Sequence, residues 1–420
     1  MDYLILKGPC RLEGTLAASG AKNAALPVLA ATILARGNFL IRNVPHVADV
    51  VTMLRILRSM GAKAFFSDNK IEINTKDLSG NAADYRYVST MRASVCLLGP
   101  LLARFGKAVV SLPGGCVIGP RPINLHLKGL RLMGADVDLD HGYIVARARG
   151  LKGTRVYLGG AFGSSVLATA NLMMAACRAK GRTMIEGAAC EPEVVDLGRF
   201  LNKMGAQIRG LGSPLVEIEG VKRLTPCEYE IISDRIEAGS YMIAAAITKG
   251  DVTIKNVSSA TLGAVIDKLK ETGVTITERN GAVRARRKGR LKAVSVTTLS
   301  YPGFPTDLQA QMTALMCMAE GISVITEKIF PERFMHVAEL NRMGALIRLE
   351  GPNSIIEGTG RLSAAPVMAS DLRASAALVL AGLVAEGTTE IARVYHLDRG
   401  YERLTEKLTA LGAHIRRERR

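Results

Sequence analysis

Signatures of the common nucleotide and metal chemistries are missing from this 420-residue sequence. It has no G-x-x-x-x-G-K-[ST] loop, no G-x-G-x-x-G after a strand-like run and no H-E-x-x-H. That points away from an ATPase, a nicotinamide enzyme and a zinc peptidase. The seven cysteines (10, 96, 116, 177, 190, 227 and 317) are odd in number and form no C-x-x-C pair. No metal site, no disulfide framework and no cofactor are therefore expected, and a reduced, cytoplasmic protein is. No apolar run is long enough to span a bilayer, and Met1–Lys7 lacks the basic leader and cleavage site of a signal peptide, so no membrane partner is expected. Aromatic residues are only 5 % of the chain, which leaves few platforms for base stacking. The formal charge of +17 fits nucleic acid or an anionic substrate. Most of it is scattered, apart from the tail Arg416–Arg420, so it reads mainly as a basic surface and no nucleic-acid partner is expected.

What the sequence does have is repetition. Its length implies two domains, and 48 % hydrophobic with 22 % charged residues excludes wholesale disorder. Gly61, Gly134, Gly205, Gly273, Gly344 and Gly412 recur at intervals of 73, 71, 68, 71 and 68 residues. Each follows an amphipathic helical pattern and precedes strand-like alternation, the place where a left-handed glycine ends a helix. A second series, Gly37, Gly106, Gly181, Gly250, Gly321 and Gly387, closes strongly apolar helical runs such as 24–35, 93–105, 236–249 and 307–320. The chain thus reads as α/β, with six strand-helix-strand-helix-strand units, three to a domain, each unit burying a helix it could not bury alone.

Within a unit the two glycines are 24, 28, 24, 23, 23 and 25 residues apart. The excess in the second unit falls in Leu112-Pro-Gly-Gly-Cys116-Val-Ile-Gly119-Pro-Arg121-Pro122. Three glycines and three prolines make this a loop, and an insertion carrying a thiol and a guanidinium is better explained by function than by folding. The apolar helices begin with Lys22-Asn23, Met91-Arg92, Gly163-Ser-Ser165, Asp234-Arg235, Thr306-Asp307 and Asp371-Leu-Arg373. Asp234, Asp307 and Asp371 read as ordinary caps. Lys22, Arg92, Arg235 and Arg373 oppose the helix dipole and call for another role. If three helices pack in parallel in each domain, these ends converge on a face suited to a phosphorylated or carboxylated substrate. Arg121, Arg333 and Arg399 add cations in loops, and His126 and His336 read as hydrogen-bonding or helix-surface residues rather than acids or bases.

The segments Ser19-Gly-Ala-Lys22-Asn23-Ala-Ala-Leu-Pro27, Leu112-Pro-Gly-Gly-Cys116, Tyr301–Met312 (YPGFPTDLQAQM), Arg333-Phe-Met-His336, Asp371-Leu-Arg373-Ala and His396-Leu-Asp-Arg399-Gly-Tyr401 closely resemble the bacterial UDP-N-acetylglucosamine enolpyruvyl transferases. The resemblance runs nearly end to end. It implies a pair of inside-out α/β barrels, one of residues 22–232 and the other of 1–21 plus 233–420, with the active site in the cleft between them. It also implies transfer of enolpyruvyl from phosphoenolpyruvate to the 3-hydroxyl of UDP-N-acetylglucosamine, the first committed step of peptidoglycan synthesis. Cys116 is then the proton donor and the site of a covalent adduct, and Asp307 the base. Lys22, Asn23, Arg121 and Arg399 match phosphoenolpyruvate-binding positions, and the resemblance implies that Lys22 and Arg399 are catalytic as well. Arg92, Arg121, Pro122, Ile123, Asn124, Leu125, Asp307 and Ile329 match nucleotide-sugar contacts, while Arg333, Asp371 and Arg373 line the cleft. Asn124, where the family usually has Asp, and Gly159–Phe162, where it has a more polar stretch, depart from the pattern. A shikimate 3-phosphate transferase of similar fold is the rival enzyme reading, and a catalytically silent basic protein the rival of another class.

Overall fold

Six apolar runs fold as helices that vanish into the interior: Lys22–Ala31, Leu98–Phe105, Val166–Ala176, Arg235–Ile247, Gln309–Cys317 and Leu372–Gly382. A helix that is apolar all round has no face to offer water and must be core. Single 3-10 stretches extend three of them, Thr32–Leu34 after the first, Arg92–Leu97 before the second and Thr306–Leu308 before the fifth. The computed structural model describes residues 2–80, 82–83, 91–112, 123–160 and 163–419, with Arg92 by its backbone only.

A strand follows each buried helix: Asn38–Arg42, Lys107–Ser111, Arg182–Glu186, Asp251–Lys255, Gly321–Thr326 and Gly387–Ala392. An amphipathic helix comes next, as in Ala48–Ser59, whose buried Val50, Met53, Leu54 and Leu57 share one face. Gly61, Gly134, Gly205, Gly273, Gly344 and Gly412 then take φ from +86° to +101°, stopping the helix and turning the chain into a hairpin.

Among the described residues, six four-stranded sheets share one pairing pattern. Asn38–Arg42, for example, is parallel to Glu228–Glu230 and antiparallel to Lys70–Asn74, which pairs antiparallel with Lys63–Ser67. One sheet is completed by the two ends of the chain. Asp2–Gly8 lies antiparallel between Gly387–Ala392 and His414–Arg419, with Leu6 opposite Thr389 on one side and Ile415 on the other. The described residues up to Ser19 and from Ser233 onward form one compact unit, and those from Gly20 to Ile232 form a second. Each unit has its own core: Leu29, Leu54, Leu101, Leu172 and Phe200 in the second, Leu6, Tyr241, Ile243, Leu315 and Leu378 in the first. No described helix is long and apolar enough to cross a membrane.

The turn glycines offer a test of this architecture. At Gly205, φ is +101° and an added Cβ would meet nothing within 4 Å, so Gly205→Ala isolates the backbone cost. Urea unfolding should show a loss of about 1–2 kcal/mol with an unchanged far-UV spectrum, and a variant as stable as wild type would contradict it.

Candidate active site

Charged residues open the apolar helices of the first unit, and two of the three aspartates there are caps. Asp234 Oδ1 accepts from the N–H groups of Ile236 and Glu237 at 2.8 and 3.0 Å. Asp371 Oδ1 accepts from Arg373 and Ala374 at 2.8 and 3.2 Å. Asp307 departs from the expectation, because no side chain caps the 3-10 turn it sits in. Arg333 Nη1 instead donates to its Oδ1 at 3.0 Å, and Arg373 Nη2 to its Oδ2 at 3.1 Å. Two charge-assisted bonds from guanidiniums outweigh a neutral cap.

Arg333 and Arg373 are only 5 % and 3 % exposed. Burial alone works against a charge on Arg373, but Asp307, then Tyr401 and Asp234, outweigh it and hold the guanidinium protonated. Its carbon also lies 5.4 Å from the centre of the Tyr401 ring. The Asp307 side chain keeps 26 % of its surface in contact with solvent.

A second carboxylate braces the first. Glu327 is fully buried and accepts from Thr298 Oγ1 at 2.7 Å, Thr306 Oγ1 at 2.8 Å and the N–H groups of Ile329 and Phe330 at 2.8 and 3.0 Å. Thr306 Oγ1 in turn accepts from Arg333 Nη1 at 3.0 Å. Glu327 thus fixes both the backbone at Ile329 and the hydroxyl that aims Arg333. Nothing in Thr326-Glu-Lys-Ile329 marked it out, since its donors are hydroxyls and backbone rather than a charge. Behind Asp307, Gln311 Nε2 donates to the Asp307 carbonyl at 3.0 Å and reaches Tyr401 Oη at 3.1 Å, and Tyr401 Oη lies 2.7 Å from Ser240 Oγ.

The remaining expected residues are distributed as follows. Ile329 is half-buried, and Arg399 is half-buried on the turn Val394–Arg399, which packs against Leu372–Gly382. In the second unit Lys22 opens its helix with Nζ 3.2 Å from Asp49 Oδ2, a partner the sequence did not suggest, and Asn23 follows, half-buried. Ile123, Asn124 and Leu125 form the start of helix Asn124–Leu132, with Asn124 exposed. Cys116, Arg121, Pro122, the Arg92 side chain and Ala161-Phe162 lie outside the described residues. The six described cysteines are free thiols, and burial pushes Cys96, Cys177 and Cys317 up to about 12, as befits packing residues.

Of the two candidate histidines, His126 is hydrogen-bonded as expected, and neither lies on a helix surface, since both are buried. His126 Nδ1 lies 3.0 Å from Asn171 Nδ2 in the core. His336 is 1 % exposed, and burial pushes it from 6.5 down to about 4, Arg333 adding to the shift and Asp371 opposing it. The unfolded chain therefore binds a proton that the folded chain refuses, so stability is full above 6.5 and is lost as pH falls toward 4. By pH 4 this costs roughly 3 kcal/mol. Denaturant titrations at several pH values should show a shallower acid decline for His336→Asn than for wild type. Parallel curves would refute a buried neutral imidazole.

The chain is similar to known proteins along nearly its whole length. The EPSP synthase (3-phosphoshikimate 1-carboxyvinyltransferase) family model matches residues 6–408. The UDP-N-acetylglucosamine 1-carboxyvinyltransferase of Methylacidiphilum infernorum is 54 % identical over 417 residues, 99 % of each chain. That of Myxococcus xanthus is 54 % identical over 422 residues, the whole of both chains. The crystal structure of the enolpyruvyl transferase NikO from Streptomyces tendae shares the fold, with a TM-score of 0.90 at 24 % identity, covering 99 % of this chain and 98 % of that one. EPSP synthase from Acinetobacter baumannii is more distant, at a TM-score of 0.75 and 21 % identity over the whole of both chains. The chain belongs to the enolpyruvyl transferase family, among the UDP-N-acetylglucosamine 1-carboxyvinyltransferases.

Proposed function

We propose that the chain transfers enolpyruvyl from phosphoenolpyruvate to the 3-hydroxyl of UDP-N-acetylglucosamine, releasing phosphate. The observation that carries this reading is the 54 % identity, end to end, with relatives named for that acceptor. Cys116 gives a proton to the methylene carbon of phosphoenolpyruvate, leaving C2 electron-poor, and its sulfur can also bond to that carbon as a covalent adduct. The sugar oxygen bonds to C2 while its proton passes to Asp307. The resulting ketal expels phosphate while the Cys116 thiolate takes back a proton from the new methyl group, and the double bond returns. The solvent-facing part of Asp307, held from behind by Arg333 and Arg373, supports its role as the base. A positioned acid or base contributes ~10²–10⁴ in rate.

Lys22, Asn23, Arg121 and Arg399 hold phosphoenolpyruvate. Arg92, the run Arg121–Leu125, Asp307 and Ile329 hold the nucleotide sugar, beside Arg333, Asp371 and Arg373. The common pairing pattern of the six sheets supports reading each unit as an inside-out barrel of three repeats, its apolar helices enclosed by its sheets. The reaction opens peptidoglycan synthesis in the cytoplasm and so bears on cell shape and division.

The family model takes its name from the shikimate enzyme, so the choice of acceptor is the deciding experiment. Phosphate release from phosphoenolpyruvate should require UDP-N-acetylglucosamine and should not occur with shikimate 3-phosphate. The reverse preference would replace this reading with the shikimate one, and salt-sensitive RNA or DNA binding without phosphate release would support a silent basic protein. Cys116→Ser should cripple turnover with its thermal midpoint unchanged, and full activity would remove Cys116 from the mechanism.

A further inference from the structure

A cavity of about 400 Å³ in the second unit lies where the unit's three apolar helices end. Among the described residues its walls carry five cations, Arg36, Arg104, Arg178, Lys222 and Arg223, and no carboxylate. Asp77, next to the lining residue Leu78, faces away toward Lys63 at 3.7 Å. Among the described residues, Arg36, Arg178, Lys222 and Arg223 have no carboxylate partner.

The plain explanation is that these cations neutralise helix C-termini, and Arg104 does that. Its Nη1 donates to the Ile33 carbonyl at 2.7 Å and to the Ala35 carbonyl at 3.3 Å, and its Nη2 to Thr75 at 3.0 Å. The other four do not fit that explanation. Three helix ends carry about half a negative charge each, about 1.5 in all, against five cations here, which leaves a surplus of roughly 3.5. The first unit closes a corresponding helix end with one buried arginine, Arg287, whose Nη1 donates to the Ala246 carbonyl at 2.9 Å. It carries Glu320 and Glu386 directly before Gly321 and Gly387, where the second unit has Arg36 before Gly37. Helix closure in this fold therefore does not require a cluster of like charges. Grouping them is unfavourable, and burial together with Arg36 and Arg178 pushes the Arg104 guanidinium down.

We propose that this cavity is a second anion site, separate from the residues of the proposed reaction, that binds a small metabolite bearing a diphosphate or triphosphate. Guanidinium forks pair bidentately with phosphate oxygens. The volume lies within the range of small-molecule sites, and buried Leu34 and Leu224 offer an apolar wall to the rest of a nucleoside polyphosphate. Such a ligand relieves the repulsion among the arginines and adds a bound state unrelated to catalysis.

The test is calorimetric titration of the full chain with inorganic pyrophosphate and with ADP, with and without saturating UDP-N-acetylglucosamine. Wild type should bind one ligand that the nucleotide sugar does not displace, with ADP tighter than pyrophosphate. Arg36→Ser/Arg178→Ser should weaken this binding by roughly tenfold or more while leaving phosphate release within about twofold. Arg36 is exposed, so the single variant Arg36→Ser serves if the double variant folds poorly. Equal binding in variant and wild type, or no binding beyond what the nucleotide sugar displaces, would overturn the proposal. Failure of UDP-N-acetylglucosamine as a substrate would overturn the proposed reaction and leave the variant comparison decisive for this site.

Discussion

Two buried guanidiniums converge on one half-exposed carboxylate, and the surroundings of Asp307 are organised around that contact. Arg333 and Arg373 come from different elements, 26 and 66 residues further along the chain. An arginine placed this deep is tolerable only with a charge partner, because an unpaired buried charge costs several kcal/mol. Asp307 supplies the charge to both. Thr306, aimed by Glu327, supplies a further acceptor to Arg333. The Tyr401 ring supports the Arg373 guanidinium, and Ser240 and Gln311 hold the tyrosine hydroxyl. Preorganisation of this kind fixes a carboxylate in advance, which is what the proposed role of Asp307 as a base requires.

The architecture was legible because it repeats. Six glycines at near-constant spacing marked the helix-to-hairpin turns, and their φ values are those a left-handed stop requires. Apolar runs marked the buried helices, although Thr306–Leu308 and Arg92–Leu97 are 3-10 rather than α-helical. Asp234 and Asp371 were legible as caps because capping is a local bond, made two or three residues away.

Asp307 shares that local pattern and does something else, since its partners lie far along the chain where periodicity carries no information. Lys22 shows the same limit from the other side. Its position against the helix dipole was visible, while the Asp49 that offsets it, 27 residues on, was not. Glu327 was invisible for a different reason, as a carboxylate satisfied by hydroxyls and backbone N–H groups leaves no charge pattern to read. Apart from the tail Arg416–Arg420, the +17 charge is scattered along the sequence. Folding gathers part of it, taking Arg36, Arg104, Arg178, Lys222 and Arg223 from four separate stretches to one cavity.

The proposed reaction requires Asp307 to act on the transition state rather than merely to hold substrate, and Asp307→Asn, which also removes the charge shared by Arg333 and Arg373, separates the two in a variant whose far-UV spectrum and cooperative unfolding show that it is folded. Calorimetric affinity for UDP-N-acetylglucosamine should be compared with the single-turnover rate of phosphate release. The account predicts affinity within a few-fold of wild type and a rate lower by ~10²–10⁴. A rate close to wild type, or a loss of affinity large enough to explain the whole loss of rate, would contradict it.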